Sequence, residues 1–135
     1  MAEYHLIIPF RLPGMNEAVR VARSNRYQAA EHKRDWEHDL CALIWQQLPG
    51  VQITGSVVIE FIWVEPDRRR DLDNVCGYAR KLILDALVST RVLQGDGWRH
   101  IAGFSDTFAV DEQQPRVEVT IRAGQERCIS EEEKE

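Results

Sequence analysis

The run GSVVIEFIWVEP, residues 55–66, constrains this chain more than any other stretch. β-Branched and aromatic side chains fall on both parities, so the segment offers no polar face to water, and its length between Gly and Pro suits a strand. It reads as a strand buried on both faces at the centre of a sheet. Every other element must then flank or cover it.

Two segments have the spacing to do the covering. In residues 29–48, Trp36, Leu40, Leu43, Ile44 and Leu48 recur at helical intervals before Pro49 and Gly50 end the pattern. Val75, Ala79, Leu82, Ile83, Ala86 and Leu87 repeat it, with Asp73 or Asn74 placed to cap the helix start. Residues 4–10, YHLIIPF, read as a first strand, and residues 11–34 as a long basic loop rich in turn formers. Residues 100–111 and 115–123 read as two strands joined by the turn DEQQP into an antiparallel hairpin. The expected class is α+β, a small mixed β-sheet of about four strands with two main packed helices. At 135 residues and 44% hydrophobic content, one core is sufficient. The division expected is a single domain over 1–125 and an acidic, disordered tail over 126–135.

The net charge of −5 is unevenly spread. The tail holds five acids against two bases, whereas residues 11–34 hold six bases (Arg11, Arg20, Arg23, Arg26, Lys33, Arg34) against Glu17 and Glu31. A basic surface is therefore compatible with an acidic total, and polyanion binding is not excluded. Cys41, Cys76 and Cys128 have no metal-ligand or disulfide-framework spacing and read as reduced thiols. No run approaches the roughly 18 apolar residues that span a bilayer. The expectation is a cytoplasmic protein with no membrane partner, and without a P-loop it takes no nucleotide cofactor.

The densest charge follows the hydrophobic run directly. In EPDRRRDLDNV, Arg68, Arg69 and Arg70 abut Asp71 and Asp73. A solvated turn that neutralises itself before a helix fits this pattern. So does a site in which arginines hold a polyanion and carboxylates hold a cation.

The run PDRRRDLDN, the following helix with Lys81 and LDAL, the GDGW loop, the final PRVEVTI strand and the early LPGMN turn together resemble the RusA family of Holliday-junction resolvases, over nearly the whole chain to about Arg122. The resemblance implies a homodimeric, Mg²⁺-dependent crossover junction endodeoxyribonuclease of DNA recombination and repair, of phage or prophage origin, acting on four-way junction DNA. Mn²⁺ is a possible substitute metal. The family's third metal ligand aligns with Asp96 and an asparagine with Asn16. Its lysine, six residues after the first aspartate, falls on Gly77 here; Lys81, displaced by four residues together with LDAL, takes that role as if the helix had gained a turn.

The residues support this chemistry in their own terms. Phosphodiester hydrolysis uses a hard cation, and Mg²⁺ takes one or two carboxylates, waters and the substrate phosphate. In an extended segment Asp71 and Asp73 project to one side while Leu72 turns to the core. Asp96, between two glycines, is the best third carboxylate, with Asp106 and Asp111 as rivals and Asp85 as a structural acid on the second helix. Arg68, Arg69, Arg70, Arg20, Arg23, Arg26 and Lys33, with Asn16, are the DNA-binding candidates. His100 is a weaker candidate base. Two other functions share these residues: a metal nuclease for flap or fork DNA, and a catalytically silent junction-binding or phage structural protein.

Overall fold

The hydrophobic run becomes an inner strand of a four-stranded sheet. A computed structural model describes residues 2–124; the acidic segment 126–135 and Cys128 lie outside them. The elements are β1 (Glu3–Ile8), α1 (Met15–Ser24), α2 (Arg26–Gln47), β2 (Val57–Glu65), α3 (Leu72–Ser89), β3 (Ile101–Val110) and β4 (Arg116–Ala123). Strand order is β1-β4-β2-β3, with β2 parallel to β3 and both β1–β4 and β4–β2 antiparallel. The class is α+β, a small mixed sheet covered mainly by α2 and α3.

Alternation decides which side is covered. Val57, Ile59, Phe61 and Trp63 of β2 are buried with Val117, Val119 and Ile121 of β4, and one cluster joins them to Leu40 and Ile44 of α2 and to Leu82, Ile83 and Leu87 of α3. The expected double-sided burial of β2 is corrected in part: Val58, Glu60 and Ile62 on the other face are partly or fully open, with Ile62 36% exposed, while Val64 near the strand end is buried. That face instead carries charge pairs, Arg122 with Glu3 and Glu60 across strands and Arg116 with Glu118 along β4. Such pairs hold a solvated face without needing a second helical layer. The apolar helix positions 75, 79, 82, 83, 86 and 87 are all buried, as their spacing predicts.

Two further expectations are corrected. β3 and β4 are not a hairpin, because β2 lies between them. α3 carries the chain back so that β3 runs parallel to β2, and the turn after β3 then crosses the end of β2, where Asp111 N donates to Glu65 O at 2.8 Å. The Asp111 carboxylate accepts from Gln113 N and Gln114 N and pairs with Arg116, which closes a turn about 10 Å wide, two strand spacings. The basic segment is a loop only over residues 11–14. Residues 15–24 form α1, and the expected helix from residue 29 starts earlier, as α2 at Arg26, after Asn25, whose side chain caps α2 by accepting from Tyr27 N and Gln28 N. No residue of α1 is buried.

Among the described residues, no helix is long and apolar enough to cross a membrane.

Candidate functional site

The parallel pair β2–β3 ends beside the start of α3, and the carboxyl ends of parallel strands are where open sheets leave a crevice. A groove of about 380 Å³ lies there, walled by Trp63, Phe108 and Val110 and rimmed by Arg68, Asp71 and Leu72. Leu72 is 56% exposed and lines this groove rather than turning to the core. The reason is local. Asp71 is the N-cap and Leu72 the first helical residue, so the Asp-Leu-Asp segment is not extended and strand alternation does not apply to it. The helix therefore starts earlier than a cap at Asp73 or Asn74 would place it. The Asn74 side chain instead accepts from Asn16 N at 2.8 Å and ties the start of α1 to α3.

The three arginines have different tasks. Arg70 donates to Leu12 O at 3.0 Å and stands 3.8 Å from Glu65, which Arg11 also grips through two donors at 3.2 and 2.7 Å. That hydrogen bond to Glu65 raises the Arg11 pKa further above its ordinary value. Arg69 stays with Asp67, whose carboxylate accepts its backbone N–H at 2.9 Å. Arg68 is exposed and, among the described residues, has no ion-pair partner. The Arg11–Glu65–Arg70 brace was not read from the sequence. Its only signal there is an acid at the strand end directly before Pro66.

Most carboxylates between Glu60 and Asp111 are paired internally. Glu60 is held by Arg122, Glu65 by Arg11, Asp67 by Arg69, Asp85 by Lys81 and Lys33, Asp96 by Lys81, Asp106 by Arg80 and Asp111 by Arg116. Asp71 and Asp73 are the exceptions. Asp71 makes no side-chain cap hydrogen bond, and among the described residues neither carboxylate has a cation. Asp71 lines the groove and Asp73, in the first turn of α3, does not, so the expectation that both carboxylates project to one side is corrected along with the extended segment on which it rested.

Asp96 lies elsewhere. It accepts from Lys81 Nζ at 3.0 Å, and Lys81 also pairs with Asp85 at 3.0 Å. Lys33 reaches Asp85 at 3.1 Å, and with Glu37, Val88 and Ser89 this network lines a second depression of about 390 Å³. Lys81 is eight residues beyond Asp73, about 12 Å along the axis of α3. Among the described residues, no three His, Cys, Asp or Glu side chains are grouped as a metal site. The hydrogen bond from the Lys81 ammonium holds the Asp96 carboxyl below its ordinary pKa and in turn raises Lys81. At position 77 a Cβ would meet Met15 Cε of α1, the end of a flexible side chain, at 2.9 Å.

The remaining candidates divide by exposure. Arg20, Arg23 and Arg26 are exposed on α1 and at the start of α2, whereas Lys33 is engaged by Asp85. Asn16 contributes its backbone N–H to the α1–α3 junction. Asp106 is bound by Arg80 and by Trp63 Nε1, and Asp111 by its own turn. Compared with protein-family models and with curated proteins, the chain matches none.

Proposed function

We propose that the protein is a metal-dependent endonuclease for branched DNA, with four-way junctions as its substrate and Asp71 and Asp73 as its first two metal ligands. The observation that carries this reading is that two carboxylates at the start of α3 lack a cation, one of them, Asp71, lining the groove with the free Arg68, in a region where the other seven carboxylates from Glu60 to Asp111 have internal cations. A bound Mg²⁺ would polarise the scissile phosphate and lower the pKa of an attacking water. Arg68 contributes attraction for the phosphate next to the cut, and Arg20, Arg23 and Arg26 extend that attraction along α1 and into α2. Arg11 and Arg70 position the segment by fixing Glu65 and Leu12. Paired cleavage of two strands calls for two sites, which a twofold dimer supplies. The buried free thiols Cys41 and Cys76 accord with a cytoplasmic setting.

A second reading is a silent junction-binding protein, favoured by the engagement of Asp96 with Lys81 rather than with Asp71 and Asp73. Cleavage of a synthetic four-way junction with Mg²⁺, beside duplex, flap and fork controls, separates the readings. Cutting of the junction that is lost in both Asp71→Asn and Asp73→Asn supports the first. Binding without cutting under all metals supports the second. Asp96→Asn decides the third ligand: loss of cleavage with unchanged binding assigns Asp96 and its neighbour Lys81 to catalysis on the DNA complex, and full cleavage removes them from it.

A further inference from the structure

The two edges of the sheet are treated differently. On β1, the Gln47 side chain from α2 accepts from Ile7 N at 2.7 Å and donates to Ile7 O at 2.7 Å, so an amide occupies the backbone groups another strand would need. On β3, nine residues pair with β2, Ala102 being passed over at a register shift, and no other strand among the described residues pairs with its outer edge. Natural edges are blunted by Pro, Lys, short length or a cover. IAGFSDTFAV is long and contains no Pro, Lys or Arg. Its one charge, Asp106, is bound by Arg80 and Trp63 Nε1. Phe104 and Val110 are large apolar side chains left 43% and 50% exposed.

The sequence of this edge also says what fits it. Phe104-Ser105-Asp106-Thr107-Phe108 reads nearly the same in both directions about Asp106. An isologous antiparallel pair demands that symmetry, since residue i meets residue j and j meets i. With the axis at Asp106, Phe104 lies opposite Phe108, Ser105 opposite Thr107 and Ala102 opposite Val110. Aromatic residues directly across an antiparallel pair are among the favourable cross-strand combinations. A shift of the axis to Ser105 or Thr107 sets an aromatic against Asp106. The like charges on the axis are each already neutralised by Arg80, whose guanidinium also lies 5.2 Å from the centroid of the Phe104 ring.

We propose that β3 pairs antiparallel with β3 of a second copy of this chain about a twofold axis at Asp106, joining two four-stranded sheets into one of eight. This surface stands independently of the nuclease reading. It also sets that reading's geometry: the two Val110 residues, one at each groove, are separated by eight residue steps along the paired strands, about 27 Å.

Sedimentation of the full chain without DNA or metal tests the pairing. Ser105 and Thr107 are exposed and lie on the face away from Asp106, so S105K/T107K places like charges across the axis and S105E/T107E does the same with the opposite sign. The wild-type chain is expected at twice its 15.6 kDa mass, each double variant at the single mass, and an equimolar mixture of the two variants at twice the mass again. Circular dichroism and melting temperature of each variant establish that the fold is kept. If either variant fails to fold, S105R/T107R and S105D/T107D replace it, since position 105 meets position 107 across the axis and both must carry the charge. A wild-type monomer, a dimer untouched by both charged variants, or a mixture that stays monomeric overturns the proposal.

Discussion

At the scale of single residues, the distinction that matters is between charges that are paired and charges that are not. Asp71 and Asp73 have no internal cation, so their replacement by Asn removes little native stabilisation. Both variants should melt within about 0.5 kcal/mol of the wild type, bind junction DNA at least as tightly and cut it at background rate. A gel assay run with a melting curve checks all three. Lys81 is the converse case. Because its ammonium depresses the Asp96 pKa, Asp96 favours the folded state above the unfolded carboxylate pKa, and that contribution disappears as pH falls through the lower folded value. Lys81→Met should raise the Asp96 pKa toward the ordinary carboxylate range and flatten this acid limb, which carboxyl NMR titration reads directly. The stability effect is small, since Asp96 is exposed and screened by solvent. An Asp96 titration unmoved by the substitution would contradict the ion pair.

At the scale of elements, the helices differ in what holds them. α3 has eight buried residues and is part of the core, whereas α1 has none; it packs against both α2 and α3, with Asn16 bonded to Asn74 and Met15 against Gly77 at its start. Gly77 sits inside α3, where glycine costs helix stability, and the atom nearest a new Cβ is the end of the flexible, partly exposed Met15 side chain. Gly77→Ala should therefore stabilise by roughly 0.5–1 kcal/mol as Met15 moves aside. Gly14→Ala should do the opposite. Its Cβ would stand 2.7 Å from Asn74 Oδ1, an atom fixed by its bond to Asn16 N. Thermal denaturation of the two variants checks the opposite signs. This contrast also explains what the sequence revealed. α2 and α3 were legible from the period of their buried apolar residues; α1 has the same period in Met15, Ala18, Val19 and Ala22, but none of them is fully buried, and its arginines and the turn formers around it suggested a loop.

At the scale of the whole molecule, the order of strands was not legible, although each strand was. DEQQP encodes a turn through Asp111, but nothing in it records that β2 passes between the arms of that turn. Long-range pairing of this kind is set by α3 returning the chain, and composition carries no trace of it. For the candidate site the same limit applies. The Asp71–Asp73 signal is local and was readable, while the attachment of Asp96 to Lys81 depends on how a loop folds back onto α3. Affinity for DNA belongs to this scale as well. If Arg20 and Arg23 each neutralise one phosphate, R20A/R23A should lower the salt dependence of junction binding by about 2 in log–log slope, with a melting temperature near that of the wild type. Equal slopes would take α1 off the interface.

A helix with no fully buried residue has a consequence for how the native state fluctuates. Opening α1 exposes less apolar surface than opening α3, so the free energy separating its closed and open forms falls toward the low end of the range for the molecule, below that of α3. Amide hydrogens of residues 18–24 should exchange with solvent by local opening, largely insensitive to denaturant, while those of residues 79–87 wait for global unfolding. If α1 is where DNA is gripped, the bound complex should slow exchange there first and most, turning the least protected helix of the free protein into a reporter of occupancy.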